Sequence, residues 1–161
     1  MNKVNSNISN STFEKAFQLA KKAILIAIIL TPIRFSLELY GLPESAIFIF
    51  GLLWLTIGFS IYWGVKLSNT KDSYLILFLA LLMYSPFSRF PVALLWWIDT
   101  RWEIGTHYGD FFNSFGQAIL NQVGFGSLIQ IIPGFILGSI TLAILRNRTG
   151  VIIRTKTLEN E

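Results

Sequence analysis

The stretch from Ala46 to Lys66, AIFIFGLLWLTIGFSIYWGVK, decides the fold class of this chain. It carries no charged residue before Lys66 at its end. About 20 residues of this kind make a helix long enough to cross the ~30 Å hydrocarbon core of a membrane. A helix on the surface of a soluble domain would show a charged or polar face instead. The stretch therefore predicts a transmembrane helix.

The composition of the whole chain also places it in the membrane class. Of its 161 residues, 53% are hydrophobic and 14% are charged, and the mean hydropathy is +0.56. A soluble domain carries about 25% charged residues. Because three further apolar stretches are long enough to span, we predict an all-α integral membrane protein, a four-transmembrane-helix bundle that forms one domain. The predicted spans are 20–40, 46–66, 73–98 and 117–145, with a polar tail at 1–19, a longer loop at 99–116 and a second tail at 146–161.

The N-terminal tail is rich in Asn and Ser and is expected to be disordered through residue 11. Ser11 or Thr12 could then cap a short amphipathic helix that presents Phe13 and Phe17 to the lipid headgroups.

Basic residues predict the orientation of the bundle. With the N-terminus inside, only Arg34, Arg89 and Arg101 fall on the outer side. The inner side then holds Lys3, Lys15, Lys21, Lys22, Lys66, Lys71, Arg146, Arg148, Arg154 and Lys156. Lys and Arg accumulate on the cytoplasmic side of membrane proteins, so we expect both termini inside (N-in/C-in) and the 99–116 loop outside. The Asn-, Lys- and Ile-containing composition fits a multi-pass protein of a bacterial cytoplasmic (inner) membrane.

Several classes of chemistry lack the residues that they need. The chain has no cysteine, which excludes disulfides, thiolate catalysis and iron–sulfur ligation. It has no Gly-rich phosphate loop ending in Lys, no His-Glu-x-x-His and no Gly-x-Ser-x-Gly. The net charge of +4 comes from basic residues that flank apolar runs. We therefore expect the lipid bilayer, not nucleic acid, as the partner of these charges, and no cofactor.

Two arginines lie inside predicted spans, where an ionisable residue is costly and is therefore a functional candidate. Arg34 and Arg89 each lie roughly 10–13 Å below the outer boundary. Each is close to a proline, Pro32 and Pro91. Glu38 follows Arg34 by four residues, so these two side chains can pair on one helix face. The arginines either serve a ligand or proton pathway, or only lock helices together through carbonyl groups that the prolines free.

Polar and small residues recur every four positions along the fourth span. They are Gln117 and Asn121, and then Gln122, Gly126, Gln130, Gly134 and Gly138. The outer part of this series is polar and the inner part is small. We therefore predict a cavity or hydrogen-bond network in the outer half, with Asn121 and Gln130 as ligand-binding candidates beside Arg34, Glu38 and Arg89. Tight packing at Gly134 and Gly138 would close it from below.

The predicted outer loop contains the only histidine. Asp99, Glu103, His107 and Asp110 are spaced by four, four and three residues and would form one stripe if the segment were helical. Such a stripe could bind a divalent metal or supply a general acid and base, which makes these four the catalytic candidates. Glycines at 105 and 109 disfavour the helix and a metal site usually has more than one histidine, so we predict no metal.

The loop and the arginines can also act together. If the loop folds back over the bundle and caps the polar cavity, Asp99 or Glu103 is the natural partner of Arg89, because few other carboxylates lie at that depth.

Three functions remain open on the sequence alone. The leading hypothesis is a small membrane protein that binds a partner protein, or an anionic or lipid-like ligand, through the polar site in the outer half of the bundle. The first alternative is a membrane-embedded enzyme that acts on a lipid-type substrate at the outer face, with His107 as acid or base. The second is a structural accessory subunit or homo-oligomer that docks through helix faces rich in glycine. On the second span, Gly51 and Gly58 lie seven residues apart and predict such a close-packing strip.

Overall fold

The computed structural model describes residues 2–43, 47, 51–109 and 112–158, and within these ranges it describes the side chains of residues 11–147. Every regular element in these ranges is helical. They are α1 (Asn2–Leu39), α2 (Leu52–Leu67), α3 (Ser73–Trp102), α4 (Phe115–Ile119), a π-helical turn (Leu120–Phe125) and α5 (Gly126–Leu158). The last three follow one another without a break.

Three helical stretches are long and apolar enough to cross a membrane. They are Ser11–Leu39, Ser73–Trp102 and Phe115–Asn147. Helix α2 is apolar but shorter: its 16 residues extend for about 24 Å at the rise of an α-helix. The described part of the chain thus has three helices of spanning length and one shorter apolar helix, which is consistent with a multi-pass membrane protein. The prediction of one uninterrupted helix over 46–66 is wrong, because Gly51 has an extended backbone (φ −66°, ψ 144°) and α2 begins at Leu52. The predicted start at Ala46 lies outside the described residues.

The observed helices extend beyond the predicted spans. Helix α1 begins at Asn2, so the predictions of disorder through residue 11 and of a helix start at Ser11 or Thr12 are wrong. Helix α3 continues past Ile98 to Trp102 and ends where Glu103 adopts a left-handed backbone conformation (φ +50°). The last helix begins at Phe115 and continues past the predicted end at residue 145.

Helix α3 is the centre of the bundle, because it packs against α1, α2 and α5. Helices α2 and α5 run parallel to each other: Ser60 lies against Gly134, and Gly64 lies against Gly138. Helix α3 is antiparallel to both. Among the described residues α1 packs almost entirely on α3 and touches α2 only slightly. Residues 40–43, Gly51 and residues 103–109 lie at the same end of the bundle, which we call the loop end.

A stripe of small residues buries α1 against α3. Its members are Thr12, Ala16, Ala20, Ala23, Ala27 and Thr31, each at most 9% exposed. Small side chains let two helix backbones approach closely in a membrane. The larger residues of α1 point the other way, since Phe13, Phe17, Leu25 and Ile29 are about half exposed. This alanine stripe was not foreseen from the sequence.

Glycines set the closest contact between α2 and α5. A methyl group added at Gly64 would lie 2.8 Å from the Gly138 carbonyl oxygen, and one at Gly138 would lie 3.0 Å from the Ser60 carbonyl oxygen of α2 and 2.7 Å from Leu77 Cδ2 of α3. The predicted tight packing at Gly134 and Gly138 agrees with these distances. The predicted close-packing strip at Gly51 and Gly58 is wrong for contacts among the described residues, because none of their atoms lies within 4 Å of a methyl group added at Gly58.

Arg146 ties the bundle together at the end opposite the loop end. Its Nε donates to the Ser68 carbonyl (3.1 Å), and its Nη2 donates to the Thr70 carbonyl (2.8 Å) and to Ser73 Oγ (2.7 Å). The guanidinium also lies over the ring of Tyr74. The side chain therefore satisfies two backbone carbonyls of the α2–α3 turn and links α5 to that turn.

Candidate functional site

A cavity of about 220 Å³ lies at the loop end of the bundle and contains both membrane-embedded arginines. We call it the loop-end cavity. Its polar lining comes from Arg34, Arg89, Trp96, His107, Tyr108 and Gln122, and its remaining lining from Gly51, Leu52, Leu53, Val92 and Phe112. Residues from α1, α2, α3, the 103–114 loop and the π-helical turn meet here. The sequence placed the two arginines at matched depth, and the structure brings them to one site.

Arg89 crosses from α3 to the π-helical turn. Its Nη1 donates to Gln122 Oε1 at 3.1 Å. A methyl group at Gly126 would lie 3.4 Å from Arg89 Cζ and Nε and 3.3 Å from the Asn121 carbonyl oxygen. Glycine at this position therefore leaves room for the guanidinium group. The turn itself closes with the Gly126 N–H donating to the Asn121 carbonyl, five residues back. A single π-turn inside a helix is frequent at functional sites, and this one presents Gln122 to Arg89.

Four buried hydrogen-bonding atoms of the cavity wall have no partner within the part of the chain that the structure describes. They are Arg34 Nε, Arg89 Nε, Trp96 Nε1 and the Tyr108 hydroxyl. Each of the four can donate a hydrogen bond, and an unsatisfied buried polar group costs about 1–3 kcal/mol. Trp96 and Tyr108 are each only 5% exposed, so water outside the bundle hardly reaches them. The wall thus offers donors and positive charge to an acceptor.

Tyr108 is held in its neutral form. Burial raises the pKa of its phenol above the usual 10.0; the nearby Arg34 charge opposes this shift and Glu38 adds to it. Its ring packs edge-on against Phe35 of α1, with ring centroids 5.6 Å apart. A protonated, packed phenol is a fixed hydrogen-bond donor.

The 103–114 loop is fastened to α1 by Glu38. The carboxylate accepts the His107 backbone N–H through Oε1 (2.6 Å), and its Oε2 contacts His107 Nδ1. Asp99, which is 2% exposed, accepts the Thr106 N–H at 3.2 Å through Oδ1. Together the two carboxylates hold residues 106–108 over the cavity, as expected if the loop folds back over the bundle.

The predicted catalytic stripe does not form. Gly105 has φ +82° and the helix has already ended at Trp102, so Asp99, Glu103 and His107 do not share a face. Glu103 is exposed, Asp99 serves the loop backbone, and Asp110 lies outside the described residues. No cluster of three metal-ligating side chains occurs within the described ranges.

Two predicted pairings are replaced by others. Arg89 donates to Gln122, so the prediction that Asp99 or Glu103 is its partner is wrong. Glu38 contacts His107 and not Arg34. Near Pro32 the carbonyls accept hydroxyl groups instead of guanidinium groups: Thr31 donates to Ala27 and Ser36 donates to Pro32.

Asn121 and Gln130 lie outside the cavity lining. The Asn121 amide donates to the Gln117 carbonyl on its own helix. Gln130 is fully buried one level deeper, where its Oε1 accepts from Ser88 Oγ at 3.2 Å. Gln130 therefore belongs to a polar contact between α3 and α5 below the cavity, which holds these helices together.

Sequence reasoning missed Gln122, Trp96 and Tyr108 as site residues. Gln122 belongs to the predicted series of polar and small residues spaced by four, but the neighbouring Asn121 was predicted as the ligand-binding residue. Trp96 and Tyr108 looked like interfacial aromatic anchors, which is the usual role of such residues near a predicted boundary. No family model, no curated protein and no solved structure matches this chain.

Proposed function

We propose that this protein binds an anionic group, a phosphate or a carboxylate, in the loop-end cavity. The observation that carries the proposal is the convergence of four unpartnered buried donors on that cavity, two of them from guanidinium groups. Charge-assisted hydrogen bonds from arginine to phosphate or carboxylate are short and about twice as strong as neutral ones. A neutral ligand would bring no negative charge to these two partly buried guanidinium groups.

Two carboxylates near the cavity, among the residues that the structure describes, are already engaged, which supports an external anion. Glu38 is bonded to His107 and Asp99 to the Thr106 backbone. Arg89 has the Gln122 amide as its hydrogen-bonded partner, and an amide oxygen carries no net charge. Two arginines in one wall therefore favour a ligand that brings negative charge.

The proposal includes the orientation of the bundle. With four spans and both termini inside, the loop end faces the outer side, where only three of the chain's 13 Lys and Arg residues fall. This asymmetry supports the N-in/C-in topology by the positive-inside rule. The ligand would then approach from the outer leaflet or from the space outside it.

Calorimetric titration of the full-length protein in a nonionic detergent tests the proposal. The ligands are inorganic phosphate and acetate, and the variant is Arg89→Gln. Its matched control is Arg101→Gln, which removes an exposed arginine at the same end of α3. We expect Arg89→Gln to weaken binding about 10–100-fold, the loss of one charge-assisted contact, and Arg101→Gln to leave it unchanged. Equal binding by the wild type and Arg89→Gln would contradict the proposal.

A second candidate function is an enzyme that acts on a lipid-type substrate held in the same cavity. The observation that favours it is the contact between His107 Nδ1 and the Glu38 carboxylate in the cavity wall. A carboxylate that orients an imidazole is the usual arrangement for general acid or base catalysis. The enzyme predicts that His107→Ala abolishes turnover and retains anion binding. A pure binding protein predicts no turnover in either form.

A further inference from the structure

The flank of α2 opposite its contact with α5 is apolar and partly exposed, and none of the described helices packs over it. It is lined by Trp54, Leu55, Gly58, Phe59 and Tyr62, which form a groove of about 360 Å³. At 100° per residue Leu55 lies opposite Gly64, the residue that packs on α5. We call this groove the α2 flank.

The packing of α1 explains why the α2 flank stays open. Helix α1 lies on α3 and contacts α2 only slightly among the described residues. Helix α5 covers the other side of α2 through Gly138 and Thr141. Gly58 meets no atom within 4 Å, and Tyr62 is 56% exposed. The flank therefore faces the bilayer beside α1.

The α2 flank begins at the loop-end cavity. Gly51, which directly precedes α2, and Leu52, its first residue, line the cavity, and Leu55, Gly58 and Tyr62 then share one face of α2. From Leu52 to Tyr62 the helix runs for about 16 Å. One leaflet contributes about half of the ~30 Å hydrocarbon core, so the flank matches the depth of one leaflet.

We propose that the ligand is a membrane lipid whose anionic headgroup lies in the loop-end cavity and whose acyl chain lies along the α2 flank. This inference rests on the proposed function, since it names the class of anion that the cavity receives. The cavity supplies positive charge and hydrogen-bond donors at the loop end of the flank. The flank supplies an apolar surface that leads from the cavity into one leaflet. A soluble anion would use the cavity and leave the flank without a role.

The test compares lipid and phosphate binding by a variant that fills the flank. Gly58→Phe places a ring in the groove, and it does not weaken the helix, because phenylalanine favours a helix more than glycine does. The matched control is Ile136→Phe, at a half-exposed position of α5. Full-length protein in nonionic detergent is titrated with phosphatidylglycerol and, separately, with inorganic phosphate, and bound species are counted by native mass spectrometry.

We expect Gly58→Phe to bind phosphatidylglycerol about tenfold more weakly, the loss of about two methylene contacts, and to bind phosphate as the wild type does. Ile136→Phe should bind both as the wild type does. The inference is overturned if Gly58→Phe retains the lipid fully, or if it changes only the oligomeric state, because the flank would then contact a second copy. If neither ligand depends on Arg89, the proposed function itself has failed.

Discussion

Replacing each of two glycines on α2 by alanine should change stability in opposite directions. Gly58 and Gly64 lie six residues apart on the same helix, and alanine is about 1 kcal/mol more favourable than glycine in a helix. At Gly58 the new methyl group meets no atom within 4 Å, so Gly58→Ala should stabilise the protein by about that amount. The two substitutions share this gain in helix propensity, so it cancels when they are compared.

At Gly64 the same methyl group would lie 2.8 Å from the Gly138 carbonyl oxygen and 2.9 Å from Thr141 Cβ. Carbon and carbonyl oxygen normally stay at least about 3.3 Å apart, so α2 and α5 must separate by about 0.5 Å. Backbone atoms cannot turn aside as a flexible side chain can. Overpacking of this kind costs about 1–3 kcal/mol, and that cost is the expected difference between Gly64→Ala and Gly58→Ala.

Unfolding in mixed micelles of nonionic detergent and SDS, followed by circular dichroism, measures this difference. Gly58→Ala should be the most stable of the three proteins and Gly64→Ala the least stable. The wild type should lie between them or close to Gly64→Ala. If the two variants have the same free energy of unfolding, or if Gly64→Ala is the more stable, then α2 and α5 do not meet at Gly64 as described.

Three further outcomes follow from named contacts. Glu38→Ala removes the acceptor of the His107 N–H, so the His107 amide should exchange with deuterium about tenfold faster, while exchange at wild-type rate would show that the loop is held by other groups. Arg146→Ala removes hydrogen bonds to Ser68, Thr70 and Ser73 and should lower the free energy of unfolding by about 1–3 kcal/mol. Arg146→Lys should restore little of this, because lysine lacks the guanidinium fork; full rescue by lysine would argue against the fork contacts. Burial raises the pKa of Tyr108, so the folded state keeps the phenol proton to a higher pH than the unfolded state does. The contribution of the neutral phenol to the free energy of unfolding is therefore complete below pH 10 and is lost as the pH rises above it. The stability of the wild type relative to Tyr108→Phe should therefore fall above pH 10 in denaturant titrations, and a constant difference would mean that the phenol is not buried.

The sequence predicted the helical class and the meeting of the two arginines for a physical reason. A charged side chain in an apolar span must face the interior of the bundle, so Arg34 and Arg89 at similar depth have one region to share. The glycines at 134 and 138 were predictable on the same basis, since small residues mark close helix contacts. Gly58 shows the limit of this rule. The sequence alone does not distinguish a glycine on an exposed helix face from a glycine in a helix–helix contact.

The wrong partners came from assuming regular helices and local pairs. A π-turn adds one residue to a helical turn, which rotates the following side chains by about 100° and presents Gln122 to Arg89. The contact between Glu38 and His107 joins residues 69 positions apart. No local spacing rule points to such a pair, whereas the i, i+4 rule pointed to Arg34. The alanine stripe of α1 escaped notice because alanine is common in every helix and carries no charge or shape that singles it out.

The way in which α1 is held connects the cavity to the stability of the whole bundle. Helix α1 packs on α3 through alanines, which bury little apolar area each, and it has hardly any contact with α2. At the loop end its further ties are Phe35 against Tyr108 and Glu38 against His107. An anion bound by Arg34 and Arg89 together would bridge α1 and α3 in the apolar interior, where such a bridge is strongest. Because a ligand that binds only the folded form stabilises it, the proposed anion would act first on α1, whose contacts within the described residues lie almost entirely on α3.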